Sequence, residues 1–187
     1  MKYRSLISLL ILLLLGNSFC LASDKNASHK STVTIPEVAL LSLQFEGNPG
    51  VLMTATAPTM AGTPLNLENH SSTTVWLNYS SVTAPDQKRK VTAMVVGEIP
   101  EGVTIKLNAD ESTGQGKGKL GKSNGKITLS NIPGDIISDI GSCYTGRGIQ
   151  NGHKLSYSVE FDNDHFYKNI KVAETSLSVV YTLTDDN

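Results

Sequence analysis

Apolar and polar residues alternate with a period of two along much of this chain, and Val, Ile, Leu and Tyr dominate the apolar positions. That period sends successive side chains to opposite faces of an extended backbone, so each such segment predicts a β-strand with one buried face. The segment 176–183 is the clearest. Leu177, Val179, Tyr181 and Leu183 point one way, and Ser178, Val180, Thr182 and Thr184 the other. In 154–161 the buried set is Leu155, Tyr157, Val159 and Phe161, opposite Ser156, Ser158 and Glu160. Further strands are expected at 73–79, 91–96, 103–109 and 126–130, and an apolar run fills 38–45. Ahead of that run, Val33 and Ile35 alternate with Thr32 and Thr34 until Pro36 interrupts.

Asn48-Pro49-Gly50, Asn124-Gly125 and Asn151-Gly152 supply turn chemistry between these segments. One short helical turn is expected at 135–140, where Asp135 caps, Ile136, Ile137 and Ile140 share a face and Gly141 terminates. Seven or eight short strands with almost no helix predict an all-β fold, an antiparallel sandwich.

The N-terminus breaks this pattern. Lys2 and Arg4 precede the apolar run from Leu6 to Leu15, and Cys20-Leu21-Ala22 offers small residues at the −3 and −1 positions of a cut after Ala22. A basic start, a short apolar stretch and a small-residue cleavage site define a secretory signal peptide. A spanning helix needs about 20 apolar residues, more than this run holds. Residues 1–22 are thus expected to be removed, residues 23–31 to form a polar disordered leader, and residues 32–187 to make a single domain. The mature chain has no transmembrane span on this reading. An acylated Cys20 is the rival, disfavoured by the bulky Phe19. The protein is expected in the periplasm, at the cell surface or outside the cell.

Cleavage takes two basic and no acidic residues, so the balance of 16 Lys+Arg against 17 Asp+Glu becomes 14 against 17, a net charge of −3. A weakly acidic, evenly spread charge argues against nucleic acid as a partner. Cleavage also leaves Cys143 as a lone thiol, so no internal disulfide can form. Buried and inert is the expected state of that cysteine, with pairing between chains as the alternative.

The residues 116–123, Gly-Lys-Gly-Lys-Leu-Gly-Lys-Ser, match the phosphate-binding P-loop pattern letter for letter. That motif needs a helix after the loop, whose N-terminal amides hold the phosphate. Asn124-Gly125 and a strand follow instead, so a basic glycine loop across a hairpin is expected, with no nucleotide and no cofactor. The four histidines, His29, His70, His153 and His165, lack metal-ligand spacing. Asp162-Asn163-Asp164 reads as a turn. Asn26, Asn69 and Asn78 head glycosylation sequons that matter only in a eukaryotic secretory pathway. Cys143 with His153 is the one nucleophile–base pairing the spacing offers, and a structural cysteine in a glycine-flanked turn is preferred to it. No hydrolase signature occurs, so a non-enzymatic role is expected.

Two stretches carry a family resemblance. Val33-Thr34-Ile35-Pro36-Glu37-Val38-Ala39-Leu40-Leu41 follows a short leader, and Ser176-Leu177-Ser178-Val179-Val180-Tyr181-Thr182-Leu183-Thr184 ends the chain in an alternating strand. This layout resembles small exported pilin-type proteins, particularly the CS1/CFA-like fimbrial subunits of bacteria. The resemblance implies an Ig-like sandwich that lacks one strand, the gap being filled by an N-terminal extension of a neighbouring subunit. Val33, Ile35, Val38, Leu40 and Leu41 would then be the anchors of the donated strand, and the partners further copies or related subunits. The Gly-rich middle, the 141–152 loop and Cys143 depart from that layout. If the extension is not donated, the same anchors are the first strand of a complete sandwich. The alternative function is a secreted carbohydrate- or ligand-binding module for a glycan or host-surface ligand, with Trp76 and Tyr79 as stacking rings. Their odd spacing sends them to opposite faces of an undistorted strand.

Overall fold

β-Branched and aromatic residues at alternate positions set the strands, and the chain turns between them at Gly, Pro and Asp. The computed structural model describes residues 30–47, 57–65, 74–162, 167–168 and 176–186. These contain nine strands: β1 (Val38–Glu46), β2 (Thr74–Val82), β3 (Arg89–Val96), β4 (Val103–Ala109), β5 (Lys117–Ser123), β6 (Lys126–Thr128), β7 (Gly134–Tyr144), β8 (His153–Phe161) and β9 (Ser178–Asp185). Every pairing among them is antiparallel. The protein is all-β.

β2 organises the whole. One of its edges carries β1 in continuous register, from Val38 opposite Val82 to Glu46 opposite Thr74. Its other edge is shared, with residues 75–77 pairing with β8 and Ser80 and Ser81 pairing with β7. The pairing therefore forks into a limb β8–β4–β6 and a limb in which β7 is flanked by β5 and by β3, then β9. Val75, Leu77, Ile105, Leu107 and Leu155 from the first limb and β2 bury against Val91, Val95, Ile136, Ile137 and Ile140 of the second. Two layers thus cover one core, in the manner of a sandwich. Each large apolar side chain fully withdrawn from water contributes about 1.5–3 kcal/mol.

Three local expectations are corrected. The helical turn at 135–140 is instead the middle of β7. Against both β3 and β5 the register slips so that β7 holds the surplus residue, and Asp139 takes a positive φ of 59°. These bulges bring Ile136, Ile137 and Ile140 to the same core, and that spacing imitates a helical face. Three β-branched side chains also favour the strand. Second, the glycine stretch 116–123 is not a loop: from Lys117 to Ser123 it forms β5, an edge strand paired with β7. Third, Asn124-Gly125 does not close a hairpin. β5 pairs with β7 and β6 with β4, so this turn carries the chain from one layer to the other. Asn124 is held there by its amide, bonded to the Ile136 carbonyl at 2.9 Å, and by its side chain, which accepts from Ser138 Oγ at 2.8 Å.

The chain divides after Ile35 into two units. Of the first, residues 30–35 are exposed and form no strand. The compact unit begins at Pro36. Residues 1–22, Asn48-Pro49-Gly50, His29, His70 and His165 lie outside the described residues, as do Asn163-Asp164 and the sequons at Asn26 and Asn69. No helix among the described residues is long and apolar enough to cross a membrane.

Candidate functional site

The five anchor residues do not share a face. Leu41, Leu43 and Phe45 of β1 stand opposite Tyr79, Leu77 and Val75, the inward residues of β2, and therefore face the core. Val38 and Leu40 alternate to the outside, and Leu40 is 65% exposed. Val33 and Ile35 precede the strand and are 83% and 75% exposed. No side chain of β1 is fully buried. The strand is thus held mainly by its backbone ladder to β2, with partial cover from Leu41 and Leu43. Across the sandwich, the inward residues Leu177, Val179, Tyr181 and Leu183 are likewise only partly buried. β1 and β9 are each one edge of their layer, with β6 and β5 at the opposite edges, and the ladder does not continue from β1 to β9.

Both edges meet one buried cation. Arg89, at the start of β3, is 5% exposed although it is charged. Its Nε donates to Asp185 Oδ1 at 3.1 Å, and its terminal nitrogens donate to the Glu37 carboxylate and the Val38 carbonyl. Longer contacts of 3.4 Å reach Ser81 Oγ and the Val82 carbonyl. A buried guanidinium survives only with charge compensation and filled donor positions, and this one has both. The side chain ties the entrance of β1, the end of β2 and the end of β9 to β3. Sequence reasoning missed it, yet the signal is present: Arg89 has the same parity as Val91, Ala93 and Val95, so alternation points it inward.

Trp76 and Tyr79 are divided between faces. Trp76 is half-buried on the outer face, registered between Gln44 and Lys154, and its indole Nε1 is enclosed without a hydrogen-bond partner. Tyr79 is in the core, where its hydroxyl donates to the Leu120 carbonyl and meets His153 Nε2 at 2.9 Å. The two rings cannot stack on one ligand. His153 is fully buried, and its Nδ1 sits 2.7 Å from the Asp110 carbonyl, to which it must donate. Burial holds the imidazole below its usual range, against the opposing pull of the Asp110 carbonyl and the Glu111 charge. Burial likewise pushes the Tyr79 phenol upward, with smaller contributions from Cys143 and Glu111. The cluster cross-links β2, β8, β5 and the segment after β4.

Cys143 is buried, and burial raises its thiol to about 11. The thiolate is the reactive form, so this cysteine should resist Ellman's reagent at pH 8 in the native protein. It should react at the rate of a free thiol once guanidinium unfolds the chain. Full modification before unfolding would show that the site is open.

The remaining motifs have structural employment. Gly118 in β5 has φ +92°, and a Cβ there would lie 2.3 Å from the Ser142 carbonyl, so the glycine allows β5 to approach β7. The P-loop spelling therefore sits in a strand and lacks the loop-to-helix geometry of a phosphate cradle. Asn78 of the third sequon is buried. It donates to the Asn151 carbonyl at 2.6 Å and accepts from the Gly148 amide at 2.9 Å, fastening the 145–152 loop over β2. No family model, curated protein or solved structure matches this chain.

Proposed function

We propose that this is an exported, non-enzymatic structural or adhesive protein of the bacterial surface, of fimbrial-subunit type, whose copies join by strand addition. One observation carries the reading. An exposed apolar alternation, Val33 and Ile35, leads directly into an edge strand that is bound mainly through its backbone. Exposed apolar side chains on an extended segment gain most when another sheet edge receives them. The edge of β2 that β1 covers, when freed in one copy, is suited to receive β1 of another in the same register, with Val33 and Ile35 continuing the added strand in an Ig-like frame. The N-terminal export pattern is in keeping with a location outside the cytoplasm. With Trp76 and Tyr79 on opposite faces, the two-ring stacking site of a carbohydrate module loses its basis.

Val33→Asp combined with Ile35→Asp tests the proposal. Both side chains are exposed, so the thermal stability of the monomer should stay within about 0.5 kcal/mol of the parent. Sedimentation and electron microscopy of the chain without residues 1–22 should show oligomers or filaments for the parent and monomers for the double variant. Equal assembly by both would refute the role given to this segment.

A further inference from the structure

We infer that Arg89 and its two carboxylates form a latch that sets how readily β1 leaves β2, an inference that deepens the strand-addition reading and rests on it. Every contact of Arg89 with the N-terminal segment is made at Glu37 and Val38, the entrance of β1. The rest of β1 offers no buried side chain to hold it. Opening this entrance would normally strand a cation in a nearly dry site, a costly step. Here it does not, because Asp185 belongs to β9 and stays bonded to Arg89 Nε when β1 departs. Ser81 and Val82, in β2, stay as well. The two carboxylates therefore have opposite jobs. Glu37 stabilises the closed state alone, whereas Asp185 compensates the cation in both states and matters most in the open one.

A merely structural ion pair predicts that losing either carboxylate loosens the region. The latch predicts opposite signs. Glu37→Gln should speed hydrogen exchange of the β1 amides on the order of tenfold, the weight of one charge-assisted hydrogen bond. Asp185→Asn leaves Glu37 as the only counter-charge, so opening would bare the cation, and exchange of the same amides should slow by roughly three- to tenfold. Exchange of β8 amides in the same samples reports global unfolding and is subtracted as the control. Opposite shifts at β1 establish the latch. Faster exchange in both variants, or no change in either, overturns it. The measurement is made on monomers and so judges the latch alone. A latch that behaves as described, in a chain that never assembles, would leave this inference standing and remove the strand-addition reading.

Discussion

Stability should fall as pH drops below about 6.5, the ordinary value of a histidine, and His153→Phe should remove a large part of that loss. His153 is fully buried, and burial holds its folded-state pKa below the unfolded value. A histidine depressed in this way contributes stability that is complete above the unfolded pKa. The contribution is lost as pH falls below that value, levelling off only beneath the folded pKa. The slope cannot exceed about 1.4 kcal/mol per pH unit for one proton. Urea denaturation from pH 5 to 8 measures it, in a window above the carboxylate range. His153→Phe should cost about 2–3 kcal/mol at pH 7.5, because the Asp110 carbonyl loses its donor and Tyr79 a neighbour. Below pH 6.5 the gap between parent and variant should narrow. The two proteins differ only at position 153, so the difference belongs to His153. A gap that is constant with pH would show that the imidazole is not held neutral by the fold.

The second large effect is expected at Gly152. Its φ is +77°, and a Cβ there would lie 2.2 Å from the Leu77 carbonyl, a backbone atom of the central strand β2. The left-handed conformation costs an L-residue about 1–2 kcal/mol, and forcing atoms into filled space adds about 1–3 kcal/mol. Gly152→Ala should therefore destabilise by about 3 kcal/mol, a fall in Tm of roughly 6–12 °C for a chain of this size. Gly125 is the control. Its φ is +74° with nothing within 4 Å of an added Cβ, so Gly125→Ala should cost only the conformational part, about 1 kcal/mol. Equal losses at both positions would mean that backbone conformation, and not the approach to β2, sets the penalty.

Strands with a single buried face were legible in the sequence. Alternation located β4, β8 and β9, because each presents one side to the core and the other to water. β7 was not legible, since its bulges break the period of two and leave a helix-like spacing of isoleucines. β5 was hidden differently. Lys117, Gly118, Lys119 and Gly121 have poor strand propensity, and only the close approach to β7 explains why glycine is needed there. Asn124-Gly125 has hairpin chemistry, but a two-residue turn can as well step between layers, and pairing partners decide which. Of the candidate site, the exposed Val33 and Ile35 were visible as a pattern. The opposed faces of Leu40 and Leu41 follow from parity alone. The junction at Arg89 required tertiary structure, because Glu37, Arg89 and Asp185 are far apart along the chain and meet only where β1, β3 and β9 end together.

The central claim is that β1 of one copy can dock on β2 of another, and one cross-linking measurement addresses it. Leu40 and Ser80 are registered opposite each other on β1 and β2, a separation that a disulfide can span. Two chains without residues 1–22 are made with Cys143→Ser, one carrying Leu40→Cys and the other Ser80→Cys, then mixed and oxidised. Strand addition predicts a covalent heterodimer between the two variants in yield well above the homodimers. If each variant stays monomeric after mixing, while a chain carrying both cysteines closes its own disulfide quantitatively, β1 is a fixed part of its own sheet and the account is wrong.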